Sequence, residues 1–145
     1  MTTLATASAA SSTAPAAIFA RWADMASWPE WNTDTEWVRL DGAFAQGSTG
    51  QLKPKGGPKV KFVIARLTDT EFVDVSLLVG ARLTFAHTVT PTAQGCRVDV
   101  EVSLTGPLAP VWSLVLGKGL KASLQRDLDL LVTTAEADVS RKVGP

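Results

Sequence analysis

Two periodicities divide the hydrophobic positions of this chain. Between residues 36 and 105 apolar and polar side chains mostly alternate, which is the period of β-strands. The alternation is cleanest over residues 82–90 and 96–104, where each segment has one apolar face and one polar face. Short turn-like connections separate the segments. The pattern therefore predicts an antiparallel meander of strands.

A helical period begins after Gly106-Pro107, which ends the strand pattern. Apolar residues then recur mostly every fourth position, which predicts one long amphipathic helix. They are Leu108, Trp112, Leu116, Leu120, Leu124, Leu128, Leu131 and Ala135. We expect residues 138–145 to form a loose tail.

The N-terminal part predicts a strand and two short helical elements. Residues 2–11 allow a first strand, and Pro15 suits the first turn of a helix. The Trp28-Pro29-Glu30-Trp31-Asn32 segment follows that helix, and Pro29 either ends it or separates it from a second short turn. Two indoles in one turn suggest that it folds over the core or over the mouth of a cavity.

A long amphipathic helix and a sheet with one apolar face each need a partner surface. The sequence therefore predicts an α+β fold in which a curved antiparallel β-sheet wraps around the long C-terminal α-helix. Two short helices follow the first strand. We expect a single domain over residues 1–145, with its core at about residues 3–137.

Composition excludes several classes of function. The chain has 145 residues, of which 46% are hydrophobic, and 14 basic residues balance 14 acidic ones. Such a chain can bury a core but has no basic field for nucleic acid. Its single cysteine, Cys96, forms neither an internal disulfide nor a cysteine-based metal site. Without a membrane-spanning run or a secretory signal, we expect a soluble cytoplasmic protein.

The order of elements and several short motifs resemble the START-like, or Bet v 1-like (SRPBCC), superfamily, which has the helix-grip fold. Within it the chain is most similar to the polyketide cyclase/dehydrase group. The resemblance covers roughly residues 3–137. Its motifs are Ala14-Pro15, Ser27-Trp28-Pro29-Glu30-Trp31-Asn32, Gln46-Gly47, Phe85-Ala86-His87 with Pro91, Gly106-Pro107-Leu108 and Asp127-Leu128.

The resemblance implies a cavity between sheet and long helix that holds a small hydrophobic or aromatic ligand. We expect no cofactor, and no metal because the sequence has no cluster of His or Cys residues. The aromatic residues otherwise serve only as core, and Trp22 fits that role best. The candidate ligand-binding residues are Trp31, Phe62, Phe85, His87, Val100, Trp112, Leu116 and Leu120. This set predicts a carrier or sensor.

His87, the only histidine, is the one candidate for catalysis, because alternation places it on the covered face of its strand. Three interpretations are open: an interior histidine bonded to a carboxylate or backbone carbonyl, a ligand contact, or a general acid/base. No serine elbow, zinc cluster or phosphate loop accompanies it. Arg39, Arg66 and Asp74 alternate too weakly to be assigned a face, and solvated strand positions are the favoured interpretation.

Two alternative functions follow. One is a polyketide cyclase/dehydratase-type enzyme that uses His87 as acid/base, and the other is a protein-interaction module that uses an exposed apolar patch of the long helix. Gly117 and Gly119 either allow close packing on the sheet or let the N-terminal part of the helix bend and gate the cavity. We expect no membrane span, and the sequence does not choose between monomer and homodimer.

Overall fold

Seven strands and three helices form the part of the chain that the computed structural model describes, residues 1–143. The strands are β1 (Thr2–Ser11), β2 (Thr35–Asp41), β3 (Thr49–Pro54), β4 (Val60–Leu67), β5 (Glu71–Leu78), β6 (Ala81–Thr92) and β7 (Gly95–Thr105). The helices are α1 (Pro15–Ala23), a 3₁₀ helix (Met25–Glu30) and α2 (Ala109–Val143).

All seven strands belong to one antiparallel sheet in the order β1-β7-β6-β5-β4-β3-β2. Strands β2 to β7 follow one another as a meander, and β1 pairs with β7 and forms the edge of the sheet opposite β2. The two short helices fill the connection from β1 to β2. This is the Bet v 1-like helix-grip fold that the sequence predicted, including the first strand.

The core lies on the inner face of the sheet, beneath α1 and α2. Alternation along β7 buries Cys96, Val98, Val100, Val102 and Leu104, each at most 5% exposed. Since the register pairs alternate residues of neighbouring strands, these side chains meet inward-facing residues of β1 and β6. The predicted covered face is confirmed.

Helix α2 starts where two glycines let the backbones approach. Gly106 has φ of 112°, in the left-handed region, and a Cβ atom there would lie 2.7 Å from the Gly80 carbonyl oxygen. The Leu108 amide donates to that same oxygen at 2.9 Å. These contacts anchor the beginning of the helix to the β5–β6 connection.

The two ends of α2 have different environments. Its C-terminal half packs on β1 and α1, and Leu128, Leu131 and Ala135 are buried there. Near the N-terminus Val111 is 54% exposed and Leu114 is 87% exposed. The described part of the chain contains no helix with the length and apolar character that crossing a bilayer requires.

The structure differs from the predicted loose tail. Helix α2 continues to Val143, and only residues 144–145 of that tail lie outside the described residues. Asp138 accepts hydrogen bonds from Arg21 of α1, with Nε–Oδ2 at 2.6 Å and Nη2–Oδ1 at 2.9 Å. This pairing extends the ordered helix beyond its last buried apolar turn.

Gly117 and Gly119 make no close approach to another element. A Cβ atom added to either would meet nothing within 4 Å. The close-packing interpretation of these glycines is therefore wrong, because neither backbone needs the missing side chain for contact with the sheet. Gating by the N-terminal part of α2 stays a prediction.

Candidate ligand-binding site

The register between β5 and β6 brings a carboxyl group and an imidazole together on the inner face. Phe72 pairs with His87, and Asp74 pairs with Phe85. Because side chains alternate along a strand, these four residues project from the same face. Asp74 Oδ1 lies 3.8 Å from His87 Nδ1, close but beyond hydrogen-bond distance.

His87 is an interior histidine with a backbone partner. Its Nδ1 atom lies 2.7 Å from the carbonyl oxygen of Phe72. A carbonyl only accepts hydrogen bonds, so Nδ1 carries the proton and Nε2 keeps its lone pair. The ring stacks on Phe72, with centroids 4.9 Å apart and an interplanar angle of 14°. The interior interpretation expected such a carbonyl contact.

Burial holds His87 in its neutral form. Its side chain is 11% exposed, and loss of solvation lowers its pKa to about 4, although the Phe72 hydrogen bond acts in the opposite direction. Among the described residues Nε2 takes part in no hydrogen bond, yet it is not one of the fully buried unpaired atoms. The lone pair of Nε2 is therefore available to a donor.

Asp74 corrects the sequence-based interpretation. A solvated strand position was favoured for Asp74, Arg39 and Arg66, and it holds for the two arginines, which are exposed. Asp74 is only 6% exposed, and Oδ1 has no hydrogen-bond partner. Burial raises the pKa of this carboxyl to about 7, despite a hydrogen bond from its own backbone amide.

Two indoles extend this polar group. Trp22 and Trp31 are buried, and the Nε1–H group of each lacks an acceptor. By contrast, Trp28 Nε1 donates to the Trp22 carbonyl oxygen at 3.1 Å. The Trp22 ring lies 4.9 Å from the His87 ring, centroid to centroid. Trp31 packs 5.4 Å from Trp28, which in turn contacts Phe72.

We call Trp22, Trp31, Phe72, Asp74 and His87 the His87 cluster. It contains all three buried side-chain atoms without a hydrogen-bond partner in the described part of the chain: Trp22 Nε1, Trp31 Nε1 and Asp74 Oδ1. Native proteins leave few such atoms, and each calls for an explanation. Around the His87 ring the cluster offers the Trp22 donor, one carboxyl and the Nε2 lone pair among aromatic rings, which suits an apolar molecule with a polar group. Trp31 adds a second donor and joins this group through Trp28.

Seven of the eight predicted site residues belong to one hydrophobic core or pack against it, and the eighth, His87, stacks on Phe72 of that core. Trp31, Phe62 and Val100 are buried, whereas Phe85, His87, Trp112, Leu116 and Leu120 are half-buried. The β6–β7 register sets His87 opposite Val100. Trp112 has a further contact, because its Nε1 donates to the Val79 carbonyl oxygen at 2.8 Å and joins α2 to the β5–β6 connection.

Two concavities on the molecule lie away from these residues. One, of about 450 Å³, lies at the β5–β6 connection and is lined by Leu77, Arg82 and Thr105 among others. The second, of about 290 Å³, separates Ala17 from Asp138 between α1 and the end of α2. Neither is lined by any of the eight predicted residues. Within residues 1–143, no three His, Cys, Asp or Glu side chains gather as metal ligands would.

Sequence reasoning missed Asp74 because β5 is apolar on both faces. Phe72 and Leu78 share a face with Asp74, but Val73 and Val75 make the opposite face equally hydrophobic. A usable signal was the tight connection at Val79-Gly80, with Gly80 at φ of 69°. A hairpin register that starts from that turn pairs Phe72 with His87 and places Asp74 on the same face of the sheet as His87.

Comparisons with known proteins agree on the architecture. The model of the protein family described as polyketide cyclase/dehydrase and lipid transport matches residues 2–136. No curated protein matches the sequence.

Solved structures resemble the chain at low sequence identity. Protein MLL2253 from Mesorhizobium loti has a TM-score of 0.70 and 15% identity, covering 89% of this chain and 93% of its own. The di-domain ARO/CYC StfQ from the steffimycin biosynthetic pathway has a TM-score of 0.74 and 14% identity, and the match covers 96% of this chain and 52% of StfQ. Norcoclaurine synthase from Thalictrum flavum has a TM-score of 0.69 and 10% identity, and the match covers 92% of this chain and 95% of the synthase chain. At these identities the likeness extends to the fold alone.

Proposed function

The chain belongs to the polyketide cyclase/dehydrase and lipid transport family, and from that premise we propose that it binds a small hydrophobic or aromatic ligand between the sheet and α2, as a carrier or a sensor. The observation that carries the proposal is the group of three unpartnered buried polar atoms in the His87 cluster. A bound hydroxyl or carbonyl group would satisfy donors that the protein leaves unpaired.

The chemistry of the cluster defines the class of ligand. Indole N–H groups donate to a carbonyl or hydroxyl oxygen, and Nε2 of neutral His87 accepts from a hydroxyl. The aromatic rings of Trp22 and Phe72 favour a flat apolar body. We therefore propose a planar, largely apolar molecule with one or two oxygen substituents. Such a ligand is compatible with the likeness of this fold to StfQ, an ARO/CYC from the steffimycin biosynthetic pathway.

Half-buried apolar residues support the position proposed for the ligand. Phe85, Leu116 and Leu120 are turned toward the inner face and pack on the core, yet each retains some exposure. Partly exposed apolar side chains between a sheet and a helix offer surface that a ligand can cover. We propose these residues, with Trp112, Phe62 and Val100, as the apolar walls of the ligand site.

A second candidate function is acid–base catalysis of the cyclase/dehydratase type, and the 3.8 Å approach of Asp74 to His87 favours it. The sequence assigns the acid/base role of such an enzyme to His87. With a pKa lowered to about 4 by burial, His87 is a weak base at neutral pH. Asp74, whose pKa burial raises to about 7, is the better proton donor and acceptor.

A pair of matched probes tests the binding proposal. We expect 1-naphthol to bind more tightly than naphthalene, by about fivefold, because one hydrogen bond to an unpaired buried group is worth about 1 kcal/mol. Equilibrium dialysis gives both dissociation constants. Trp31→Phe keeps the aromatic ring but removes the N–H group, so it should reduce the preference for the hydroxyl.

Trp37→Phe is the matched control, because Trp37 stacks with Arg39 at 5.7 Å rather than with the cluster. It should leave both dissociation constants unchanged. Absence of binding by either probe, or equal affinity for both, would contradict the proposal. Native mass spectrometry of freshly purified protein adds an independent check, since a carrier should retain a small molecule in some preparations.

A further inference from the structure

Exposed apolar side chains collect at one end of the molecule, far from the α1 contact with α2. We call this set the apolar tip; its members are between 40% and 87% exposed. They are Leu77, Val79, Leu108, Val111, Leu114 and Val115. Scattered exposed apolar residues are normal, but a contiguous group marks a surface that another phase or partner covers.

Hydrogen bonds hold the two parts of the apolar tip together. The Leu108 amide donates to the Gly80 carbonyl oxygen at 2.9 Å, and Trp112 Nε1 donates to the Val79 carbonyl oxygen at 2.8 Å. The β5–β6 connection and the first turns of α2 therefore form one rigid surface. The apolar tip is presented by ordered elements and is not a frayed end.

Basic side chains border the apolar tip. Six exposed cations at or behind this end have no ion-pair partner among residues 1–143. They are Lys55, Lys59, Lys61, Arg82, Lys118 and Lys121. The strand register sets both Lys61 and Arg82 opposite Leu77. The β3–β4 connection, which carries Lys55 and Lys59, lies at the same end because it leads directly into β4.

Along α2 the apolar and basic residues follow one another on a single exposed face. Val111, Leu114 and Lys118 are spaced three and four residues apart, so they lie on one stripe. At a rise of about 1.5 Å per residue, Lys118 lies about 10 Å behind Val111 along the axis. That separation is close to the depth between buried apolar side chains and the headgroups of a lipid surface.

Acidic residues are absent from this region of the sequence. Residues 75–82 and 105–126 contain no Asp or Glu. The carboxylates at the far edge of this end are already paired, Glu36 with Lys53 at 2.9 Å and Asp34 with Arg126 at 3.7 Å. Although the whole chain has no net charge, this end carries unpaired positive charge around an apolar centre.

We propose that the apolar tip docks on a lipid surface rich in anionic headgroups. The apolar side chains enter the interface, and the surrounding lysines extend to the headgroup phosphates. The concavity of about 450 Å³ beside the tip is lined by Arg82 and Thr105, which suits one phosphate-bearing headgroup. A second copy of the chain is disfavoured as the occupant, because a symmetric contact would set two basic borders against each other.

Vesicle flotation tests the proposal. The protein should float with vesicles of phosphatidylcholine containing about one-third phosphatidylserine and only weakly with phosphatidylcholine alone, and added salt should reduce the first interaction. The double variant Lys118→Gln/Lys121→Gln should weaken partitioning about 25-fold, since each lysine near an anionic surface contributes about fivefold. Leu114→Ser should weaken it about tenfold. Leu114 is 87% exposed, so folding should not change.

Two variants away from the tip serve as matched controls. Val139→Ser removes an apolar side chain that is 36% exposed near the other end of α2, and Arg39→Gln removes an exposed cation of β2. Both should bind vesicles as the wild type does. None of the tip variants should alter 1-naphthol binding, so failure of this proposal and failure of the ligand proposal are distinguishable.

Three outcomes would overturn membrane docking. The first is no binding to either vesicle, and the second is binding that Leu114→Ser and the lysine variant leave unchanged. The third is a concentration-dependent dimer in sedimentation equilibrium that Leu114→Ser dissociates, which would make a second copy the occupant of the tip. Salt-sensitive binding that the tip variants remove and the controls retain would establish the docking surface.

Discussion

Asp74 is buried and the side chain of His87 is only 11% exposed, so loss of solvation disfavours the charged form of each group. Burial raises the pKa of Asp74 to about 7 and lowers the pKa of His87 to about 4. Their 3.8 Å separation would be an ion pair only if both were charged. At neutral pH the histidine is neutral, so the pair does not stabilise the fold as a salt bridge. The pair can instead exchange a proton or a hydrogen bond with a bound ligand.

The two groups predict opposite pH dependences of stability. The folded pKa of Asp74 is raised, so its contribution is present below the unfolded value of 3.8 and is lost as pH rises toward about 7. The folded pKa of His87 is lowered, so its contribution is present above 6.5 and is lost as pH falls toward about 4. In the wild type the two contributions to the pH dependence of the free energy of unfolding largely cancel between about pH 4 and pH 6.5.

Replacing either residue alone should reveal how the other one makes the free energy of unfolding depend on pH. In Asp74→Asn the free energy of unfolding should rise from pH 4 to 6.5, and in His87→Gln it should fall from pH 4 to 7. Each slope should approach about 1.4 kcal/mol per pH unit. Urea unfolding across this range measures both, with Arg39→Gln as a control at an exposed position. Parallel pH profiles for wild type and both variants would contradict the assignment.

Helix α2 combines a firmly packed half with a loosely covered half. Its C-terminal half meets β1 and α1, whereas Gly117 and Gly119 lie beyond the exposed apolar turns of the N-terminal half. Glycine inside a helix costs about 1 kcal/mol relative to alanine. Because a Cβ atom at either position meets nothing within 4 Å, this cost has no packing reason.

Replacing both glycines should stabilise the protein and test the gating hypothesis. Gly117→Ala/Gly119→Ala should raise the free energy of unfolding by about 2 kcal/mol. If the N-terminal part of α2 opens the ligand site, the rates of 1-naphthol association and dissociation should both fall in stopped-flow fluorescence. Stabilisation with unchanged rates would exclude gating.

Gly50→Ala provides the contrasting control. A Cβ atom there would lie 2.5 Å from Phe62 Cζ and would also strike the carbonyl oxygen of Arg39. This substitution should therefore destabilise the protein, by roughly 1–3 kcal/mol. Opposite effects at these positions would separate a glycine required by packing from two that the helix merely tolerates.

Local patterns predicted the elements better than the contacts between them. The alternation over β7 specifies its buried face directly. The four-residue period of α2 specifies the covered face from Trp112 to Ala135, but it wrongly includes Leu108, which is 40% exposed before the helix packs on the sheet. The face of Asp74 was not readable, because both sides of β5 are apolar. The Arg21–Asp138 pairing joins residues that are 117 positions apart, and no local period indicates it.

At the scale of the whole molecule, one sheet and one long helix carry both an interior site and a separate exposed surface. The His87 cluster lies inside, under α1, and the apolar tip lies at the β5–β6 end where α2 begins. The family match and the helix-grip architecture account for the placement of elements. Neither determines the chemistry, since folds of this kind host different functions.

The aromatic contacts of the interior depend on this global arrangement. Trp22 of α1 reaches His87 of β6 only because the connection from β1 returns over the inner face of the sheet. The sequence identified both residues and assigned Trp22 to the core, which its complete burial agrees with. It did not reveal that the Trp22 N–H group would lack an acceptor.

Indole resonances test the central claim, that a ligand completes the His87 cluster, most directly. The five tryptophans give five indole N–H signals in a nitrogen–proton correlation spectrum. Trp28 and Trp112 already donate to carbonyl oxygens, at 3.1 Å and 2.8 Å. On titration with 1-naphthol, the signals of Trp22 and Trp31 should move downfield as hydrogen bonds form, while that of Trp37, which packs with Arg39 outside the proposed site, stays in place. Saturation with 1-naphthol that leaves Trp22 and Trp31 unmoved, or that shifts only Trp37, would contradict the account.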